Sequence, residues 1–205
     1  AFYPPPLSVD LGSPCSSERF VRAIDVTADG LLDLFVVCSA ADHIIYAPSL
    51  GAAADANGTL TWETAAPITI MLSSSDNVAG FQLGDINNDG LVDIVLSFSS
   101  LSSPYRYLIN IGSSAAPAFS SLHDIPMEVD WDNIVPGPSN PNPLGTGDVF
   151  ALVDLDWDGY LDVVGSSSSA YAIILLNAGS GPSPAAFDDA NPGLGIPRLA
   201  SAIKW

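Results

Sequence analysis

The stretch Phe81-Gln-Leu-Gly-Asp85-Ile-Asn-Asn-Asp89-Gly90-Leu-Val-Asp93-Ile94 decides the fold, because the chain carries it three times in related forms. Its counterparts are Phe20-Val-Arg-Ala-Ile-Asp25-Val-Thr-Ala-Asp29-Gly30-Leu-Leu-Asp33-Leu34 and Phe150-Ala-Leu-Val-Asp154-Leu-Asp-Trp-Asp158-Gly159-Tyr-Leu-Asp162-Val163. The leading aspartates Asp25, Asp85 and Asp154 lie 60 and 69 residues apart. Self-similarity at a nearly fixed period marks a repeat architecture.

Each acidic loop sits between two apolar runs, the first opening on Phe and the second covering 34–37, 94–98 and 163–164. A small-residue turn follows, then a third run at 44–46, 105–111 and 171–176. A weaker fourth run is visible at 67–72 and around 127–131. Short runs rich in β-branched and aromatic residues, bounded by Gly, Pro, Ser and Asn, read as strands. No window sustains a helical i, i+3, i+4 stripe, so the expected class is all-β. Four antiparallel strands per repeat is the arithmetic of a β-propeller blade.

The expected organisation is one propeller segment over 1–205, with about three blades present. Residues 1–14 would supply the last strand of a preceding blade, and 15–75 a blade. A second blade covers 76–144, followed by a third over 145–200; 201–205 would start the next. The prolines of 131–147 cannot join a ladder and mark an inserted loop. Propellers usually close with about 4 to 8 blades, so the chain is expected to be part of a longer propeller, or to complete its ring with another chain.

The loop pattern D-x-[D/N/T]-x-D-G-x-x-D has a physical logic. Oxygen side chains at positions 1, 3 and 5 of a tight loop converge on one point. Glycine at position 6 permits the positive φ that wraps the chain. Position 7 can offer its carbonyl, and the carboxylate at position 9 closes the cage. Six to eight oxygens at about 2.3–2.6 Å suit Ca²⁺. No His or Cys stands near, which disfavours zinc or copper. An EF-hand would need Glu at position 12 and flanking helices, but Val36, Leu96 and Gly165 stand there. Of the 23 acidic residues, three fall in the first loop, three in the second and four in the third. Three bound Ca²⁺ ions would bring the formal charge of −18 to −12.

On these motifs the chain resembles the FG-GAP/VCBS repeat family, which includes the propeller of integrin α-subunits. The resemblance implies a propeller whose inter-strand loops hold two or three Ca²⁺ ions. It implies as ligands Asp25, Thr27, Asp29, the Leu31 carbonyl and Asp33 in the first loop. In the second they are Asp85, Asn87, Asp89, the Leu91 carbonyl and Asp93. In the third they are Asp154, Asp156, Asp158, the Tyr160 carbonyl and Asp162. Thr27 departs from the usual Asp or Asn and reaches less far. The bland alternative is a metal-free Asx-type turn, in which the aspartates accept backbone hydrogen bonds.

Five Lys and Arg against 23 acids cannot neutralise a phosphate backbone, which excludes a nucleic-acid partner and an anionic membrane surface. No apolar run reaches the roughly 18 residues of a membrane span. Cys15 and Cys38 are compatible with one disulfide or with two buried thiols. Asn57-Gly-Thr59 is an N-glycosylation sequon in a polar, Gly/Ala-rich loop. Phe20, Phe81 and Phe150 read as core, and packing is the favoured role for Trp131 and Trp157, with sugar binding as the alternative.

His43 and His123 stand in unrelated contexts, and no nucleophile elbow or phosphate loop is present, so no enzyme is expected. The expected function is a secreted, calcium-binding propeller for adhesion, matrix or filament assembly through protein or glycan contacts. The alternatives are a lectin-like carbohydrate binder, or the non-catalytic part of a calcium-dependent polysaccharide-active enzyme.

Overall fold

A computed structural model of the chain describes residues 18–38, 43–54, 60–64, 68–72, 78–98, 105–125, 150–166, 172–177 and 179. Among them there is no helix, and every strand pairing is antiparallel. The expected termini of neighbouring blades, the Pro-rich insertion at 131–147, Cys15, Asn57 and Trp131 lie outside the described residues. The chain divides into two compact units, Ala1–Ser74 with Ser113–Pro117, and Ser75–Gly112 with Ala118–Trp205.

In the first unit, β1 (Glu18–Ile24), β2 (Asp33–Cys38), β3 (His43–Ala47) and β6 (Ile68–Met71) form one sheet in the order β1-β2-β3-β6. β4 (Ser49–Ala54) and β5 (Leu60–Thr64) form a separate hairpin between the third and fourth strands of that sheet. This corrects the reading of the Gly/Ala-rich stretch as loop: Ala52 and Ala53 pair with Trp62 and Thr61. The alanines lack the β-branching that signals a strand, and the polar partner strand supplies the ladder instead. β2 and β3 are almost wholly buried, and Phe35 stacks at a tilt on Tyr46 with centroids 4.8 Å apart. Cys38 is disulfide-bonded.

In the second unit, β7 (Val78–Gly84), β8 (Asp93–Phe98), β9 (Tyr105–Leu108) and β10 (His123–Asp124) form a meander in the order β7-β8-β9-β10. β11 (Phe150–Val153), β12 (Asp162–Ser166) and β13 (Ala172–Leu175) make a third sheet of the same design. The fourth strand of the middle sheet therefore lies at His123–Asp124, ahead of the expected run at 127–131, which is outside the described residues. His123 stacks on Tyr107 at 5.3 Å, and the Arg106–Asp124 ion pair at 2.6 Å fastens the same edge.

One core joins these two sheets. Ile86, Val95, Tyr105, Tyr107, Ile109, Ile125, Phe150 and Val163 are buried together, with Leu152, Leu161 and Leu175 packed against them. Tyr105 meets the Phe150 ring edge-on at 5.5 Å, and Gln82 Nε2 donates to the Phe150 carbonyl at 2.6 Å. Apolar burial stabilises by about 25 cal/mol per Å², so this shared core helps to hold one sheet on the next.

Phe81 and Phe150 are core residues as expected, but Phe20 is only half-buried. Strand register places Phe20 differently, and the equivalent place in the first sheet is not core either, since Val21 there is 49% exposed. Phe81 faces Leu96 and Phe150 faces Gly165, each three residues beyond the ninth loop position, whereas that place in the first sheet falls to Val21, opposite Val36. Phe20 stands one residue further out, and a one-residue slip in a strand turns a side chain to the other face.

Candidate metal centre

Each acidic loop joins the first two strands of its sheet, and the three are wired alike. Position 1 accepts from the position 6 amide: Gly30 N–H to Asp25 Oδ2 at 2.8 Å, Gly90 N–H to Asp85 Oδ2 at 2.7 Å, Gly159 N–H to Asp154 Oδ2 at 3.1 Å. Position 5 accepts from position 7, with Leu31, Leu91 and Tyr160 N–H donating to Asp29, Asp89 and Asp158 Oδ1 at 2.8–2.9 Å. Gly30, Gly90 and Gly159 have φ of 85°, 86° and 92°. Position 4 is also left-handed, at 58°, 59° and 66°, although Ala28, Asn88 and Trp157 stand there. Asparagine tolerates that region; alanine and tryptophan are held in it by the surrounding bonds.

Position 9 carries a role that the loop pattern alone did not reveal. Asp33, Asp93 and Asp162 are fully buried. One oxygen of each accepts the amide of position 2: Val26 and Ile86 at 3.0 Å, Leu155 at 2.8 Å. The other accepts the amide of a residue just after the third strand: Ser49 and Asn110 at 2.7 Å, Asn177 at 2.8 Å. A carboxylate receiving backbone N–H bonds on both oxygens ties the loop to the far side of its own blade. Ser49, Asn110 and Asn177 in turn accept from Gly51, Gly112 and Gly179 N–H two residues on. This S/N-x-G element recurs 15 to 17 residues after the ninth position, a spacing visible in the sequence.

Burial works against the charge of these carboxylates. Desolvation pushes Asp93 up to about 7, the Asn110 and Ile86 amides pull it down, and Asp89 and Asp85 add to the rise. Asp162 and Asp158 are likewise raised, first by desolvation and then by neighbouring aspartates, against backbone hydrogen bonds that lower them. Tyr46, which donates to Asp33 Oδ2 at 3.3 Å, is raised by burial and by Asp33.

The third loop brings its carboxylates closest. One oxygen each of Asp154, Asp156 and Asp162 lie within 4.8 Å of one another. Two oxygens on opposite sides of a Ca²⁺ at about 2.4 Å are about 4.8 Å apart, so these three fit around a common ion. Asp154 Oδ1 is buried without a hydrogen-bond partner. An orphaned anionic oxygen is costly unless something positive meets it. The donors are all hard oxygens, which fits an alkaline-earth ion. In the second loop Asn87 Nδ2 donates to Asp89 Oδ2 at 2.9 Å and Asn87 Oδ1 accepts from Asp89 N–H at 3.2 Å, so the turn satisfies itself. In the first, Thr27 Oγ1 is buried without a partner.

Trp157 does not pack. It is 89% exposed at the crest of the third loop, which corrects the packing role expected for it. His43 is buried in β3, and among the described residues no cluster of His, Cys, Asp or Glu besides the third-loop group has metal-binding spacing.

Residues 25–96, covering the first two loops and the sheet elements between them, match the family model of the FG-GAP-like repeat. No curated protein matches the chain. The match, the recurring loops and the four-stranded antiparallel sheets agree: the chain carries an FG-GAP-family repeat, and its sheets are propeller blades.

Proposed function

We propose that this chain, whose sheets are FG-GAP-type propeller blades, is a calcium-stabilised extracellular binding module rather than an enzyme. Its role would be adhesion, matrix or filament assembly through protein or glycan contacts. The carrying observation is the third loop, where one oxygen each of Asp154, Asp156 and Asp162 lie within 4.8 Å of one another and Asp154 Oδ1 is buried without a partner. Asp158 and the Tyr160 carbonyl complete the proposed ligand set there. Asp85, Asn87, Asp89, Asp93 and the Leu91 carbonyl form the second set, and Asp25, Thr27, Asp29, Asp33 and the Leu31 carbonyl the first.

Calcium outside cells is millimolar, and loops of weak affinity fill at 10⁻⁴–10⁻³ M. A bound cation would offset the repulsion among grouped carboxylates and fasten adjacent strands. The low content of cations on the surface supports a partner other than nucleic acid or anionic lipid. Secretion is supported by the disulfide at Cys38 and the sequon at Asn57. Isothermal titration with Ca²⁺ and Mg²⁺ tests the reading, together with melts in calcium and in EDTA. Heat from Ca²⁺ and a melting point several degrees higher are expected; no heat and coincident melts would remove the basis for the proposal.

A second reading rests on Trp157. An exposed aromatic beside a calcium loop offers a platform for a sugar ring, and a glycan array run with and without calcium distinguishes a lectin-like binder from a protein scaffold.

A further inference from the structure

The second and third loops lie side by side. A Cβ built on Gly159, at position 6 of the third, would stand 3.9 Å from Asn88 Nδ2, at position 4 of the second. A continuous chain of buried and part-buried hydrogen bonds links the same two loops. Leu155 N–H and Asn177 N–H donate to the two oxygens of Asp162, both at 2.8 Å. Asn177 Nδ2 donates at 2.6 Å to the carbonyl of Ile86, in the preceding blade, and at 3.3 Å to that of Leu161. Ile86 N–H donates to Asp93 Oδ2 at 3.0 Å, and Asp93 Oδ1 accepts from Asn110 N–H at 2.7 Å. Asp162, Asn177, Ile86 and Asp93 are all fully buried, so no water competes for these bonds.

The residues that the relay grips are informative. Ile86 stands between Asp85 and Asn87, positions 1 and 3 of the second loop, and Leu155 stands between Asp154 and Asp156, the same positions of the third. Whatever orders Asp85 and Asn87 orders the Ile86 carbonyl, which fixes the Asn177 amide. Asn177 in turn fixes Asp162, a member of the third-loop carboxylate group.

We propose that Asn177 couples the two loops, so that a cation held in the second strengthens cation binding in the third through the relay Asp93–Ile86–Asn177–Asp162. The proposal rests on the calcium reading of the loops. Ordering one end of the relay in advance lowers the conformational entropy that the second ion must remove, which is positive cooperativity. Direct repulsion between two ions acts in the opposite sense, is weakened by salt, and acts equally whether or not Asn177 is present, so the Asn177→Ser background separates it from the relay. The first repeat supplies a control: Ser49 replaces the asparagine, keeps the backbone bond to its ninth-position aspartate and accepts from Gly51, but has no side-chain amide.

Tb³⁺ is the probe, bound to the full chain in buffer of 0.15 M ionic strength. Trp157 lies within the third loop and close to the second, so the part of the sensitised luminescence that Asp154→Asn removes is taken as the third-loop signal. Asp89→Asn weakens the second loop at an exposed side chain whose hydrogen bonds go to Asn87 and Leu91 rather than to a relay residue. It is expected to weaken Tb³⁺ binding in the third loop about fivefold, the low end of typical couplings. In an Asn177→Ser background, the effect of Asp89→Asn should shrink to less than twofold. An equal effect in both backgrounds would mean charge acting through space and would overturn the relay, as would no effect in the native chain. Absence of third-loop luminescence altogether would overturn the calcium reading and the coupling with it; luminescence without coupling would overturn the coupling alone. A metal-free arm reads the same bond in EDTA. Amide exchange at Ile86 should quicken severalfold in Asn177→Ser, while Val26, its counterpart in the first repeat, is unchanged; an unaltered Ile86 amide overturns the relay.

Discussion

Replacing Asp93 by alanine tests whether the ninth loop position holds the blade together before any cation is considered. In the native chain its two oxygens accept the Ile86 amide at 3.0 Å and the Asn110 amide at 2.7 Å, at a fully buried site. Alanine leaves both amides without an acceptor and without room for bulk water. An unsatisfied buried donor costs about 1–3 kcal/mol, so the pair costs about 2–6 kcal/mol. Relief of the desolvated charge, which already lifts Asp93 to about 7, offsets part of this. The expected loss is therefore about 2–4 kcal/mol, or a melting point lower by roughly 4–16 °C for a chain of this size. The assay is urea unfolding in EDTA, alongside Asp89→Ala as a comparison, whose carboxylate is exposed and bonds within its own turn. Asp93→Asn keeps one acceptor oxygen and should fall between the two. If Asp93→Ala and Asp89→Ala are equally mild without calcium, the ninth position is a cation ligand only and the tie between loop and blade is refuted.

The raised Asp93, Asp162 and Asp158 carboxyls give calcium-free protein a pH dependence of definite sign. Between the ordinary carboxylate range near 4 and about 7 the folded state binds more protons than the unfolded one, so stability in EDTA should fall as pH rises through that window; a melting point that climbs from pH 5 to pH 7.5 would contradict it. Gly179→Ala should be strongly destabilising in a melt, because φ is +54° and the new methyl would fall inside the Tyr160 ring, and a Tyr160→Ala partner should recover part of the loss. Trp157→Ala should leave the melting point within about a degree, given its exposure, while abolishing any calcium-dependent glycan signal; a large drop in stability would restore a packing role.

The loops were legible because their chemistry is carried by residue types with few other uses in such an order. Aspartates at positions 1, 5 and 9 with glycine at position 6, repeated at similar spacing, leave little freedom of interpretation. The inner strands of the regular sheets were legible for a related reason, since β2, β3, β8 and β9 are short, mostly apolar runs of β-branched, aromatic and leucine residues. Other features were carried by residues with weak local signals. The left-handed backbone at Ala28 and Trp157 has no glycine to announce it. The β4–β5 hairpin is built on alanines that suit loops as well as strands. The S/N-x-G element escaped notice because it changes residue type between repeats and drifts in spacing, while its effect depends on a carboxylate far away in sequence.

The hydrogen bonds divide the nine loop positions between two tasks. Positions 5, 6 and 7 close the turn on itself, and position 9 clamps its root to the blade, all with protein donors alone. A buried oxygen without a partner remains at position 1 of the third loop, Asp154 Oδ1, and at position 3 of the first, Thr27 Oγ1. A loop wired this way holds much of its shape before an ion arrives, so less ordering is charged against binding. It follows that the third loop, with four carboxylates, a free oxygen and three donors within 4.8 Å, should bind Ca²⁺ most tightly. The second, whose Asn87 already satisfies Asp89, must break that bond first and should rank below it. The first offers a hydroxyl in place of a carboxylate or amide and should be weakest. Loop-by-loop removal with Asp29→Asn, Asp89→Asn and Asp158→Asn, read by calorimetry, orders the three directly; a first loop binding as tightly as the third would show that the protein bonds described here do not set the affinity.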